Sequence, residues 1–382
     1  MKKKRKVMHL THTDVNDDNR ILKELQSLSD TGIYEVYAMG VADNEGWGRN
    51  KQPVFGTVKI ITLFSKRFVW LPKFFRYTLN LVELSFSMLF FGVRHRPEVV
   101  HCHDTLVLPI GMLVSLLTGA KLVYDAHELE SDKNDQTKLM SWGTLFIEKI
   151  CWPRVDILIS VSPSILRWYK RELGFKKNAL ILNAPLMESG EELAGVESDV
   201  RYFHDLFNIP EADLVFVYVG NLCQGRGIKL LLRAFSQGVN SHVVFIGQGV
   251  LEEEIFEVSK SNLNVHLHNS VPHEELVTLV KNADVGLCII ENVSLSDYYC
   301  LPNKLFEYCF SGLPVLASDF PDIVEFVSTH NLGTCTRVDL KSVTDAIKKF
   351  ELTPMTFNPK KMSELSWHEQ SNRLVQLYAD IL

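Results

Sequence analysis

The sequence contains no run of about 20 apolar residues, so a membrane-spanning helix does not organise this chain. Its most apolar long stretch, 77–93, is interrupted by Glu83 and falls short of that length. No Asp-x-Asp pair occurs anywhere in the 382 residues. That absence removes the carboxylate pair with which a divalent cation is typically held beside a phosphate, and no metal is expected. The seven cysteines are scattered singly, without metal-ligand spacing. An odd, dispersed set argues against a disulfide framework and for reduced, buried thiols in a cytoplasmic protein. Nothing near the start is apolar for long enough to read as a secretory leader. With 46% hydrophobic and 23% charged residues, a disordered chain is excluded as well.

What is present is uneven. The net charge of −6 conceals a basic first half, 26 Lys+Arg against 19 Asp+Glu in residues 1–185, and an acidic remainder, 14 against 27. The first half is therefore suited to meet something anionic, such as a membrane surface or a phosphorylated acceptor. At this length two hydrophobic cores are the natural expectation. Short apolar runs alternate with helical segments, the pattern of two parallel α/β sheets. Strands are expected at 7–10, 34–38, 58–63, 98–101, 121–124, 156–161 and 179–182, then at 215–219, 243–246, 265–267, 285–290, 315–317 and 334–338. The acidic, glycine-bearing stretch 187–199 marks the boundary between them. Residues 66–96 surround Phe68, Trp70, Phe74, Phe75, Phe86, Phe90 and Phe91 with Lys66, Arg67, Lys73, Arg76, Arg94, His95 and Arg96. Such a basic, aromatic segment suits either a bilayer surface or a long internal helix with a basic rim.

The most informative stretch is 302–321. It predicts a short helix opening at Pro302 and closing on Gly312, then a buried strand. Glu307 sits among Leu305, Phe306, Tyr308, Cys309 and Phe310, where an unpaired carboxylate costs several kcal/mol, so it must be paired or face a cavity. Asn303 and Lys304 lie at the helix start, where free N–H groups favour an anion. A phosphate at the tip and a hydroxyl-rich group one turn on would be the outline of a nucleotide-sugar site.

This stretch resembles the donor-binding signature of retaining family 4 glycosyltransferases, which have the GT-B architecture. The resemblance extends through Val219-Gly-Asn-Leu-Cys-Gln-Gly-Arg-Gly-Ile228, Phe245-Ile-Gly-Gln-Gly249, Val271-Pro-His-Glu-Glu-Leu276 and Ala283-Asp-Val-Gly-Leu287. In the first half it takes in Val100-His-Cys-His-Asp104 and Tyr124-Asp-Ala-His-Glu-Leu129. It implies two Rossmann-like domains, 1–190 on the acceptor side and 200–360 for the donor, with 361–382 crossing back onto the first.

By the same resemblance, Glu307 contacts the ribose, Arg226, Lys304 and the helix start at Asn303 meet the diphosphate, and Gly220, Gly247 and Leu305 belong to the donor-binding set. His103 faces the sugar, with Asp104 orienting it, and His127 and Glu128 lie near donor or acceptor. A metal reading of His101-x-His103 lacks an evident third ligand. Three departures stand out. Asn221 replaces a basic residue. Tyr299 stands where the family's Glu-x7-Glu motif has its first glutamate, so the sugar-facing role passes to Asp297 or to backbone groups nearby. The acceptor loop after the first strand is Asp14-Val-Asn-Asp-Asp-Asn-Arg20 instead of a Gly-Gly turn, with Arg20 either meeting an acceptor phosphate or pairing with Asp17 or Asp18.

The expectation is a metal-independent, retaining transferase without a cofactor. It would move a hexose-type sugar from a nucleoside diphosphate to a glycan or polyprenyl-linked acceptor in surface polysaccharide synthesis, with peripheral contact to an anionic membrane through 66–96. No nucleic-acid partner is expected. A sugar-nucleotide epimerase and a non-catalytic sugar-binding protein on the same fold are the alternatives.

Overall fold

The computed structural model describes residues 3–41, 57–61, 63–134, 136–185, 201–357 and 363–382. The stretch 187–199 expected as the boundary lies outside them. The chain divides into two compact units, Met1–Asn183 with Gln370–Leu382, and Ala184–Glu369.

Among the described residues the first unit holds seven parallel strands, β1 (Arg5–Leu10), β2 (Tyr34–Val41), β3 (Thr57–Ile61), β4 (Val99–His103), β5 (Lys121–Ala126), β6 (Ile157–Ser160) and β7 (Lys177–Leu180). They lie in the order β3-β2-β1-β4-β5-β6-β7. The second holds six, β8 (Val215–Val219), β9 (His242–Ile246), β10 (Val265–His268), β11 (Val285–Cys288), β12 (Val315–Ser318) and β13 (Gly333–Thr336), in the order β10-β9-β8-β11-β12-β13. Every expected strand is present, with ends shifted by a few residues. Strands such as β8 are buried along their whole length, because helices cover both faces of a parallel sheet.

Both sheets begin in the middle. β1 is flanked by β2 and β4, and β8 by β9 and β11. Each sheet therefore has a switch point, β1/β4 and β8/β11, where loops diverge beyond the strand C-termini and ligands gather in open α/β sheets.

The helices are bounded by local chemistry. The Asp18 carboxylate accepts from the Arg20 and Ile21 N–H groups at 3.0 and 3.1 Å and starts the helix Asn19–Asp30. The helix Asn303–Ser311 follows Pro302 and ends on Gly312, whose φ of 77° suits glycine. Tyr308 fixes this helix to the sheet. Its ring packs where a side chain on Gly286 would lie 2.4 Å away, and its hydroxyl accepts from the Val219 N–H at 3.0 Å. The final helix, Trp367–Ala379, joins the first unit along most of its length, and the Gln370 side chain accepts from the Leu182 N–H at 3.0 Å. Among the described residues, no helix is long and apolar enough to cross a membrane.

Candidate functional site

In the second unit, three pieces of chain meet at the β8/β11 switch point. The loop after β8 runs from Gly220 to Gly227, and its Leu222 N–H donates to the Gln248 carbonyl at 2.8 Å. A Cβ on Gly247 would lie 1.9 Å from the Gly220 carbonyl oxygen, so the two loops can approach only with glycine there. The backbone of both loops is thereby brought forward, as a phosphate cradle requires.

Two cations reach this edge. Arg226 lies 3.4 Å from the Asp297 carboxylate. Asp297 is nearly fully covered, and its other oxygen accepts from the Ser294 hydroxyl at 2.6 Å. Both of its oxygens are thus engaged. Asp297 holds Arg226 in place, in contrast to the sugar-facing role expected for it. Lys304 reaches back over the face of Tyr218, its ammonium 3.9 Å from the ring centroid. That ammonium is buried without a hydrogen-bond partner. The Tyr218 ring offsets part of the cost of burying this charge, and its three donors remain open to an acceptor.

The remaining donor-side residues divide. Glu307 is 8% exposed, one turn beyond Lys304 on the same helix. Asn303 is exposed at the helix start and Tyr299 is half-buried beside Tyr298. Leu305 does not reach the edge: its side chain is in the core and its N–H donates to the Pro302 carbonyl at 3.1 Å. Asn221 has its carbonyl hydrogen-bonded by the Tyr218 hydroxyl at 3.1 Å. A pocket of about 150 Å³ opens beside the same loop, lined by Cys223, Gln224, Gly225, Ile228, Lys229, Leu251 and Glu291.

In the first unit, strand register assembles a denser group. Alternation places His101 and His103 on one face of β4. His9 of β1 is the register partner of His101, and Asp125 of β5 that of His103. The helix Asn19–Asp30 packs there with Arg20 and Glu24 one turn apart, and all six side chains are buried. Arg20 closes its fork on Asp125, with bonds of 3.0 to 3.2 Å, and donates to the Ile181 carbonyl at 2.9 Å. It meets neither an acceptor phosphate nor the side chains of Asp17 or Asp18, because its whole guanidinium is spent inside the fold.

His103 is likewise enclosed. One ring nitrogen lies 2.9 Å from His9 and the other 3.2 Å from His127. Asp104 does not orient it. Its φ of 66° turns the chain away, and its carboxylate lies 3.8 Å from Nδ1 of His127 instead. His127 is the member that reaches solvent, 19% exposed. Burial pushes its imidazole down, but Asp125 and Asp104 outweigh that and raise it to about 9. Burial also works against ionised Asp125, yet Arg20 and His127 hold it well below the usual carboxylate range. Glu128 is half exposed and ion-paired with Lys133 at 3.4 Å. Asp14 accepts from the Asn16 N–H at 2.9 Å and caps a short turn.

His9, Glu24 and Asp125 escaped sequence reasoning. Asp125 lies inside a motif already singled out, and His9 shares the strand-end position of His101, so pairing the strand ends would have exposed both.

Two family models match the chain. Residues 36–183 match Glycosyltransferase Family 4, and residues 213–350 match Glycosyl transferases group 1. The D-inositol 3-phosphate glycosyltransferase of Corynebacterium diphtheriae is 25% identical over 245 residues, covering 58% of this chain and 55% of that protein. The chain thus spans about half the length of the curated relatives it matches. Among solved structures, sucrose-phosphate synthase of Thermosynechococcus elongatus superposes with a TM-score of 0.75 at 16% identity over 99% of both chains. Anabaena HepE in complex with UDP-glucose gives 0.73 at 13% identity, over 98% of this chain and 99% of that one. At these identities the likeness is one of fold.

Proposed function

The chain belongs to the family 4-like glycosyltransferases of GT-B architecture, and on that premise we propose that it transfers a hexose-type sugar from a nucleoside diphosphate to a glycan or polyprenyl-linked acceptor. The observation that carries this reading is the unpartnered Lys304 ammonium, buried over Tyr218 on the helix that also bears Glu307. A diphosphate is the anion this edge is built for. Lys304 and Arg226 would grip it, the start of the helix Asn303–Ser311 would add its N–H groups, and Glu307 would accept from the ribose hydroxyls. Charge developing on the leaving diphosphate is then met by fixed cations, and no metal is needed for that task. Retention follows if the leaving phosphate takes the acceptor's proton on the same face of the sugar. In the first unit, His127 is the imidazole placed to meet a substrate, since His103 is covered.

The acceptor reading rests on a surface wider than 66–96. The helix Leu108–Thr118 packs against both Lys73–His95 and Lys138–Cys151. The three expose Phe74, Phe86, Phe90, Leu117, Leu139 and Trp142. Lys73, Arg76, Arg94, Lys138 and Lys149 are carried on the same helices. Their two carboxylates are turned to internal partners: Glu83 accepts from the Phe64 and Ser65 N–H groups, and Glu148 is fully buried. An apolar face with cations and no outward carboxylate suits an anionic lipid surface. The enzyme would work there on a lipid-linked glycan, in surface polysaccharide synthesis.

Incubation with a panel of nucleotide sugars, with and without lipid-linked acceptors, tests the reading. Release of nucleoside diphosphate that depends on acceptor and survives EDTA is the expected result. Epimerised donor, or binding without turnover, would replace it with one of the two alternatives. Liposome flotation tests the surface: binding to anionic vesicles at low salt, lost at high salt, is expected, and no binding at low salt removes the membrane from the proposal.

A further inference from the structure

The buried cluster of the first unit has more ligating atoms than hydrogen bonds to satisfy them. His9, Glu24, His101 and His103 come from β1, β4 and the helix Asn19–Asp30, and none is more than 1% exposed. One ring nitrogen or carboxylate oxygen from each lies within 4.8 Å of those of the others. Nε2 of His9, Nε2 of His101 and both oxygens of Glu24 are buried without a hydrogen-bond partner. Buried polar atoms are nearly always satisfied. Arg20 ion-pairs with one Glu24 oxygen at 3.2 Å, and the three other orphans in one place call for an occupant.

We propose that these three histidines and Glu24 bind one divalent transition-metal ion of the zinc class, as a structural clamp independent of the sugar-transfer reading. Three imidazoles with one carboxylate favour zinc or its first-row neighbours over magnesium or calcium, which prefer all-oxygen shells. The outer groups fit such a centre. Nδ1 of His101 lies 2.7 Å from the Tyr378 hydroxyl, which leaves Nε2 to face the cluster. Nδ1 of His103 lies 3.2 Å from His127, and Nε of Arg20 lies 3.2 Å from Glu24. Partners of this kind orient ligands around a metal. Two features oppose the ion: the charge of Arg20, which Asp125 offsets by taking both arms of its fork, and the near-parallel stacking of the three rings at 4.4 to 5.2 Å, out of which the imidazoles turn to aim their lone pairs at one point. Nδ1 of His9 and Nε2 of His103 lie 2.9 Å apart, a hydrogen bond that ion binding would break with release of its proton.

Full-length protein, purified without a histidine tag, is to be analysed for bound metal. It is then stripped by chelator under mild denaturant, refolded and titrated with Co²⁺. About one zinc-class ion per chain, visible Co²⁺ d–d bands and a rise in melting temperature with Zn²⁺ are expected. Glu24→Gln, which conserves volume, should lower Co²⁺ affinity by about tenfold or more. His242→Ala, a histidine of the other unit, should leave it unchanged. Should Glu24→Gln fail to fold, His9→Gln serves in its place. Folded wild-type protein that carries no metal, gives no Co²⁺ bands and gains no stability from Zn²⁺ overturns the proposal and leaves a water-bridged network in its place. The chelator test of sugar transfer remains separate, because brief EDTA treatment addresses the diphosphate edge and leaves a fully buried ion in place.

Discussion

The two switch points share a topology and differ in what fills them. At β1/β4 ionisable groups come from the strands and from the helix Asn19–Asp30 packed on them, and face one another largely under cover. Asp125 alone has Arg20, His101, His103 and His127 within 3.7 Å. At β8/β11 the strands carry no charged side chain, and charge enters from the glycine loop and from the start of the helix Asn303–Ser311, with Arg226 35% exposed and the Lys304 ammonium left without a hydrogen-bond partner. One edge turns its charge inward, onto itself and the proposed buried ion; the other directs its charge toward the proposed diphosphate. The same sheet plan can thus carry a buried polar cluster or the proposed donor edge, depending on whether charged side chains face into the sheet or lie beyond its strands.

The sharpest way to break this comparison is to neutralise one carboxylate at each edge. Asp125→Asn leaves the Arg20 guanidinium buried beside a neutral amide, and losing one partner of a buried pair costs about 3–5 kcal/mol. Asp297→Asn loosens a partly exposed arginine, where an ion pair contributes about 0–1 kcal/mol. Urea unfolding of the full chain should show the first destabilising the protein severely and the second barely. Equal losses would mean that the two edges are not of different kinds.

Ligand affinity should respond in the opposite sense. Lys304→Met retains the packing over Tyr218 and removes the charge, so nucleoside diphosphate binding should weaken by about 1.5–3 kcal/mol, the range for charge-assisted hydrogen bonds. Binding of the nucleoside without phosphates should hardly change, and calorimetry with both ligands separates the two. Arg226→Ala should behave likewise. Asp125→Asn, measured where it remains folded, should leave this affinity alone.

The framework of the comparison was readable in advance, and its chemistry only partly so. All thirteen strands announce themselves as apolar runs between turn signals, and the helix Asn303–Ser311 is bracketed by Pro302 and Gly312, because each of these is a local property. Lys304 and Glu307 were placed for the same reason. The partners of Arg20 and Arg226 were not, since Asp125 is 105 residues from the one and Asp297 71 from the other. Nearer carboxylates, Asp17 and Asp18, were the natural guess for Arg20, but Asp18 is used as a helix cap. Asp104 was assigned to His103 by adjacency, and a positive φ sends it to His127. Register and backbone turns decide these pairings, and neither is written in residue spacing.

Packing at the binding edge can be tested without touching charge. A Cβ on Gly286 would lie 2.4 Å from the Tyr308 ring, which sits against β8 and β11 and cannot yield without moving its helix. Gly286→Ala should destabilise the second unit by about 1–3 kcal/mol, the usual cost of overpacking. Because Lys304 and Glu307 ride on the displaced helix, nucleotide affinity should fall with it. Restoring space with Gly286→Ala/Tyr308→Leu should recover part of the stability. Full affinity in the single variant would show that the helix is not positioned through Tyr308.

The smallest expected effect lies away from both edges, in the second unit, and concerns pH. His266 stacks on Phe207 with ring centroids 4.5 Å apart, and its Nε2 lies 3.0 Å from Nδ1 of His242. Burial, with the charge of His242 adding to it, lowers His266 to about 4 from an ordinary 6.5. The folded chain therefore keeps this imidazole neutral while the unfolded chain protonates it. Between about pH 6.5 and 4 the unfolded state binds more protons, so stability present at neutral pH is lost as the pH falls through that window. His266→Gln retains a side-chain nitrogen near the Nε2 position without the titration. Urea midpoints at pH 7.5 and pH 5 should drop further for the wild type than for the variant. An equal drop in both would assign the acid sensitivity to other groups, foremost the buried histidines His9, His101 and His103 of the first unit, which burial also holds below the ordinary imidazole value.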